Sequence, residues 1–207
     1  MTCHRPPAAL RLFATIWFGS ACAVGSAPRP ELAGALLPKS SPRPDFALTA
    51  TGGSPYHFFQ ATSGRLTLLY FGYLNCPDVC PATAAILGAA MAKLTSDDRS
   101  KIDLIFVTTD PERDSAAALG AWLGKFDREF IGLTGTPEQI ALAERAVGIA
   151  PAIRDTAKGQ YTVSHAAQVI VYSPDDSTHI AYPFGVRQQQ WVADLPILLQ
   201  RWTARDR

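Results

Sequence analysis

The stretch Leu66–Tyr73 (LTLLYFGY) carries no charge and stops just short of Cys76-Pro77-Asp78-Val79-Cys80. A continuous apolar run of this length reads as a strand buried on both faces, which is the habit of parallel strands covered by helices. Val79–Leu94, rich in Ala and Leu, then reads as a helix. The cysteines therefore sit where a buried strand ends and a helix begins. In open α/β sheets that edge is where ligands bind.

The remaining pattern extends this start. Phe46–Thr49 and Tyr56–Phe59 flank Gly52-Gly53 and predict a short hairpin. Ile102–Thr108 is a second buried strand, and Asp110-Pro111-Glu112 is expected to open the next helix with Asp110 as its cap. Ile131–Leu133 is a short strand. Thr136-Pro137-Glu138-Gln139 is a capping box that starts a helix to about Val147. Val169–Tyr172 and Thr178–Tyr182 read as a hairpin, and Gln188–Trp202 as a last helix that Pro196 must kink or start. The alternation predicts an α/β fold with a central sheet flanked by helices and an N-terminal hairpin added to it.

The N-terminus has a different character. Arg5 and Arg11 precede Leu12–Val24 (LFATIWFGSACAV), and small residues follow. This is the pattern of an export signal over residues 1–27. Residues 12–28 also approach the length of a membrane anchor, and Cys22 offers a lipidation site. Each outcome puts the rest of the chain outside the cytoplasm. Residues 28–44, with Pro28, Pro30, Pro38, Pro42 and Pro44, read as a Pro-rich linker to a domain over 45–207. Residues 1–44 hold five basic residues against Glu31, which leaves 14 basic and 17 acidic residues beyond them. A domain of that sign offers no broad basic face for nucleic acid. Neither G-x-x-x-x-G-K-[ST] nor G-x-G-x-x-G occurs.

The cysteine pair permits three readings. A purely structural disulfide across so short a loop contributes only about 2 kcal/mol, little beside a large core. A helix N-terminus favours thiolate over thiol, and cysteines four apart lie on neighbouring turns, so redox use and a soft metal ion both fit. A third donor would favour metal. His4 lies in the export segment, and His57 and His179 fall in hairpins where surface positions are expected. His165, in Val163-Ser164-His165-Ala166 just before an apolar strand, reads by itself more readily as a structural histidine than as a ligand.

At this point the residues resemble the SCO/SenC family. Phe71-Gly72-Tyr73-Leu74-Asn75-Cys76-Pro77-Asp78-Val79-Cys80-Pro81 is similar to its G-Y/F-x-x-C-P-D-V-C-P pattern. Val107-Thr108-Thr109-Asp110-Pro111-Glu112-Arg113-Asp114 is similar to V-x-x-D-P-x-R-D, Gly132–Thr136 to G-L-T-G-T, and Val163-Ser164-His165 to V-D-H. Ser164 stands where the family has Asp, and Leu74-Asn75 where Thr-His or Thr-Arg is usual.

The resemblance implies a thioredoxin-like fold and one copper ion, Cu(I) or Cu(II), held by Cys76, Cys80 and His165, the two cysteines doubling as a redox pair. It implies a carrier rather than an enzyme, one that delivers copper to the dinuclear copper site of cytochrome c oxidase or reduces that site's cysteines. Its partners would be the copper-bearing oxidase subunit and another periplasmic copper chaperone or thiol reductant. Its place would be the periplasm or the outer face of the cytoplasmic membrane. A metal-free thiol–disulfide oxidoreductase or a thiol peroxidase is the alternative on the same cysteines. Arg113 and Asp114 are expected as a local ion pair, and Tyr73 and Phe184 as either core or a shield over the site.

Overall fold

A computed structural model describes residues 31–155 and 162–203. The export or anchor segment expected over 1–27 lies outside the described residues. The strands are β1 (Ala35–Pro42), β2 (Ala47–Ala50), β3 (Pro55–His57), β4 (Leu66–Gly72), β5 (Ile102–Thr108), β6 (Ile131–Thr134), β7 (Ile153–Asp155), β8 (Thr162–Ser164), β9 (Val169–Tyr172) and β10 (Ser177–Tyr182). The helices are α1 (Phe58–Thr62), α2 (Val79–Met91), α3 (Ser96–Arg99), α4 (Ala116–Leu123), α5 (Pro137–Ala146) and α6 (Gln188–Arg201).

Eight strands form one sheet in the order β1-β10-β9-β4-β5-β6-β2-β3. The pairs β4/β5 and β5/β6 are parallel, and β9 runs antiparallel to β4. Every residue of β4 is buried, as its apolar run requires. Alternate side chains then serve two cores. Leu66, Leu68, Tyr70, Leu104 and Phe106 pack with α2, α4 and α6 on one face. Leu69, Phe71, Ile105 and Val107 pack with Phe58 of α1 and Ile140 and Ala143 of α5 on the other. The expected hairpin, β2–β3, extends the sheet beyond β6. Its turn carries Gly53 at φ +85°.

Four expectations need correction. The supposed linker contains β1, which pairs antiparallel with β10 and closes the opposite edge of the sheet. Its prolines are tolerated because an edge strand needs hydrogen bonds on one side only. Directly after β1, Arg43 is 4% exposed. Its guanidinium donates to Asp176 (3.1 Å), to the hydroxyls of Thr62 and Thr67 (both 2.9 Å) and to the carbonyls of Arg65 (2.9 Å) and Ser173 (3.0 Å). Asp110 does not cap α4. Ser115 does, its hydroxyl accepting the Ala118 N–H at 3.2 Å, while Asp110 turns the chain through its own carbonyl. Arg113 pairs with Asp110, not with Asp114. His179 is no free surface residue: it bonds Asp175 at 2.7 Å and stacks on Trp202 at 4.6 Å. Pro196 lies inside α6, where it withdraws one helix hydrogen bond.

A separate two-stranded sheet, β7–β8, was not legible as strands in the sequence. It matters because His165 follows β8 directly.

Candidate metal centre

At the C-terminal end of β4 the chain leaves the sheet through Tyr73 and Leu74. Asp114, 1% exposed, fixes this exit. Its Oδ2 accepts the Leu74 N–H at 3.0 Å and the Thr108 hydroxyl at 2.6 Å. A turn closed by the Cys76 N–H to the Tyr73 carbonyl (3.3 Å) then delivers Cys76. Cys80 occupies the first turn of α2. The N-cap residue, Asp78, makes no side-chain cap bond. The Cys76 sulfur instead accepts the Cys80 N–H at 3.3 Å, so one cysteine serves as the acceptor for the helix that carries the other.

The β7–β8 sheet brings in His165. Its Nε2 lies 3.6 Å from the Cys80 sulfur. Its Nδ1 is 3.0 Å from the Ala166 carbonyl, which can only accept, so Nδ1 carries the proton and Nε2 keeps its lone pair toward Cys80. The rings of Tyr73 and Tyr70 meet the imidazole edge-on at 5.5 and 6.2 Å. Tyr70 also donates its hydroxyl to the Cys80 sulfur at 3.7 Å. Tyr73 thus flanks the site, whereas Phe184 is 50% exposed and lines a small cleft with Thr83, Ala167 and Val169.

Both cysteines are free thiols, Cys80 fully buried and Cys76 at 8% exposure. Burial pushes the Cys80 thiol up to about 12 and holds the His165 imidazole below its ordinary value. The helix N-terminus was expected to favour thiolate. At Cys80, loss of water outweighs it. Without a cation the pair is therefore a neutral thiol facing a neutral imidazole.

The ligand atoms of Cys76, Cys80 and His165 lie within 4.8 Å of one another. A metal–sulfur bond is about 2.3 Å, so donors sharing one ion stand up to roughly 4.6 Å apart. The three residues fit a single ion with small adjustments. Two thiolates and an imidazole select a soft or borderline metal over magnesium or calcium. The three donors singled out in the sequence are brought together, and His57 is not among them.

Two residues beyond the three donors shape the site. Gly72 is needed for space: a Cβ there would stand 2.9 Å from the Cys80 sulfur and 2.8 Å from the Phe106 ring. Among the described residues, Tyr70 carries the hydroxyl that donates to the Cys80 sulfur. A tyrosine in a strand buried on both faces needs a buried partner, and that signal was available.

The SCO1/SenC family model matches residues 35–200. A provisionally named copper-binding protein of Stutzerimonas stutzeri is 32% identical over 79% of this chain and 80% of its own. Mitochondrial relatives are matched over about half of their length or less. Among solved structures, apo Sco1 from Thermus thermophilus superposes with TM-score 0.74 at 31% identity, over 84% of this chain and all (100%) of that one. ScoI of Bradyrhizobium japonicum with copper bound gives TM-score 0.68 at 29% identity, over 77% of this chain and 100% of that one. The fold is thioredoxin-like, and the chain belongs to the SCO1/SenC family.

Proposed function

We propose that this protein is a copper chaperone of cytochrome c oxidase assembly that holds one copper ion through Cys76, Cys80 and His165. The observation that carries the reading is the convergence of these three donors, from the turn before α2, from its first turn, and from the residue after β8, 85 positions beyond Cys80. A structural disulfide would not need the imidazole.

Copper is the cargo, and the surrounding residues suit its transfer. Asn75, Pro77 and Asp78 are exposed beside Cys76, while Cys80 is sealed behind the strand. An acceptor thiolate would therefore displace Cys76 first, with Cys80 and His165 retaining the ion until a second thiolate arrives. Ligands bind deprotonated, so the Cys80 proton leaves as copper enters. Oxidation of the two thiols to a disulfide removes both sulfur donors, so redox state gates the site. The same two thiols support a second reading, reduction of the acceptor's cysteines; it rests on their free state and needs no imidazole. A peroxidase built on Cys80 is opposed by the burial that keeps it protonated.

The Arg-flanked apolar segment supports an extracytoplasmic place, with residues 1–27 as signal or anchor. Among the described residues no helix is long and apolar enough to cross a membrane. The partners proposed are the copper-bearing oxidase subunit and a periplasmic copper chaperone or thiol reductant.

The test is copper stoichiometry of the reduced protein after equilibrium dialysis. Wild type should retain one copper per chain, and Cys76→Ser, Cys80→Ser and His165→Ala should each retain it at least tenfold more weakly. Unchanged retention by His165→Ala, with turnover of a disulfide substrate, would instead support the reductase.

A further inference from the structure

We infer that Tyr70 is a positioning residue of the metal centre: its hydroxyl, hydrogen-bonded to the Cys80 sulfur, biases the site toward Cu(I) over Cu(II). This deepens the copper reading and rests on it.

Tyr70 is 2% exposed and touches two of the three donors, the Cys80 sulfur through its hydroxyl and the His165 ring through its edge. Three constraints fix its place. Its ring packs on Phe106 at 5.6 Å. The Thr83 side chain, one turn beyond Cys80 on α2, lies near the same hydroxyl and acts on it electrostatically. Gly72 lets the sulfur and the ring close in, since an added Cβ would lie 2.9 Å from one and 3.0 Å from the other.

A hydrogen bond donated to a metal-bound thiolate draws electron density from sulfur. It weakens donation to the ion, and this costs the higher oxidation state more than the lower. Hydrogen bonds around a cysteine sulfur tune copper potentials in this way. Cys80 is fully buried, so this bond is shielded from bulk solvent. One hydrogen bond to a charged group is worth about a tenfold effect on an equilibrium.

The experiment uses the full chain, reduced, with Cu(I) and Cu(II) affinities measured separately by competition. The optical sulfur-to-Cu(II) band is recorded alongside. Tyr70→Phe keeps the ring and removes the hydroxyl. The ratio of Cu(I) to Cu(II) affinity should fall about tenfold, about 59 mV for a one-electron couple. The Cu(II) band should move to longer wavelength. Thr83→Val should move both readouts the same way by less. Tyr182→Phe, which removes a buried hydroxyl bonded to Asp194 in the core, controls for lost stability and should move neither. If wild type shows the band and the ratio but Tyr70→Phe leaves both unchanged, the inference is overturned while the copper reading stands. If wild type binds no copper, the copper reading itself fails.

Discussion

Replacing Gly72 with alanine tests whether the metal centre depends on close approach of strand and helix. The added methyl group would stand 2.8 Å from the Phe106 ring, 2.9 Å from the Cys80 sulfur and 3.0 Å from the Tyr70 ring. All three neighbours are buried and belong to packed elements, so none is a flexible tip that swings aside. Ordinary contacts start near 3.4 Å, so at least about half an ångström must be absorbed between β4 and α2. Overpacking of this kind costs about 1–3 kcal/mol. The strain falls directly on a proposed ligand, which gives the variant a second signature. Copper affinity should drop at least tenfold, about 1.4 kcal/mol, because Cys80 is pushed from its place opposite His165. Denaturant unfolding of the metal-free protein measures the first effect, and competition titration with Cu(I) the second. Loss of stability with unchanged affinity would show that the site adapts around Gly72. If both quantities matched wild type, the packing argument would be refuted.

Two further outcomes follow from buried groups. Arg43→Ala removes the guanidinium that binds Asp176 and four further acceptors, so the buried Asp176 carboxylate loses that counter-charge while keeping the Ser63 hydroxyl and the Gly64 N–H. Unfolding should become easier by about 3–5 kcal/mol, with copper affinity of the folded protein little changed. Copper uptake should strengthen with pH. Because the Cys80 thiol is raised to about 12, its proton is displaced by the ion throughout the range from pH 6 to 9. Affinity should rise at least tenfold per pH unit there, and calorimetry in buffers of different ionisation enthalpy should count the released proton. In the metal-free protein the same raised thiol stabilises the fold below its ordinary value of 9.0, and that contribution should vanish as pH climbs through about 12. His165 has the opposite sign: its lowered imidazole withdraws stability as pH falls below 6.5.

The centre of this molecule is legible in its sequence, because burial on both faces leaves a plain mark. Leu66–Gly72 and Ile102–Thr108 are apolar almost without interruption, and the cysteines follow the first of them. The capping box at Thr136 and Gln139 is likewise written in residue types, and it forms as expected. What escaped reading depends on contacts distant in sequence. Arg43 looks like any charged residue between prolines; only the meeting of Thr62, Thr67, Arg65, Ser173 and Asp176 gives its charge a buried home. β1 escaped because prolines disfavour strands in general but not at a sheet edge. Asp110 and Ser115 both make credible caps, and the sequence does not say which turn the helix will use. The approach of His165 to Cys80 depends on β7 and β8, three residues each, too short to register as periodic. Its place in the site came from family resemblance, and geometry then brought the imidazole to 3.6 Å from sulfur. At Cys80 the local rule of helix N-termini pointed one way and burial the other; burial is a property of the whole fold.

The most direct measurement is X-ray absorption at the copper edge of the reduced, loaded protein. Two sulfur scatterers and one imidazole nitrogen around a single copper are expected, with the nitrogen lost in His165→Ala. A first shell of oxygen and nitrogen alone, or one indifferent to His165, would contradict a centre built from Cys76, Cys80 and His165.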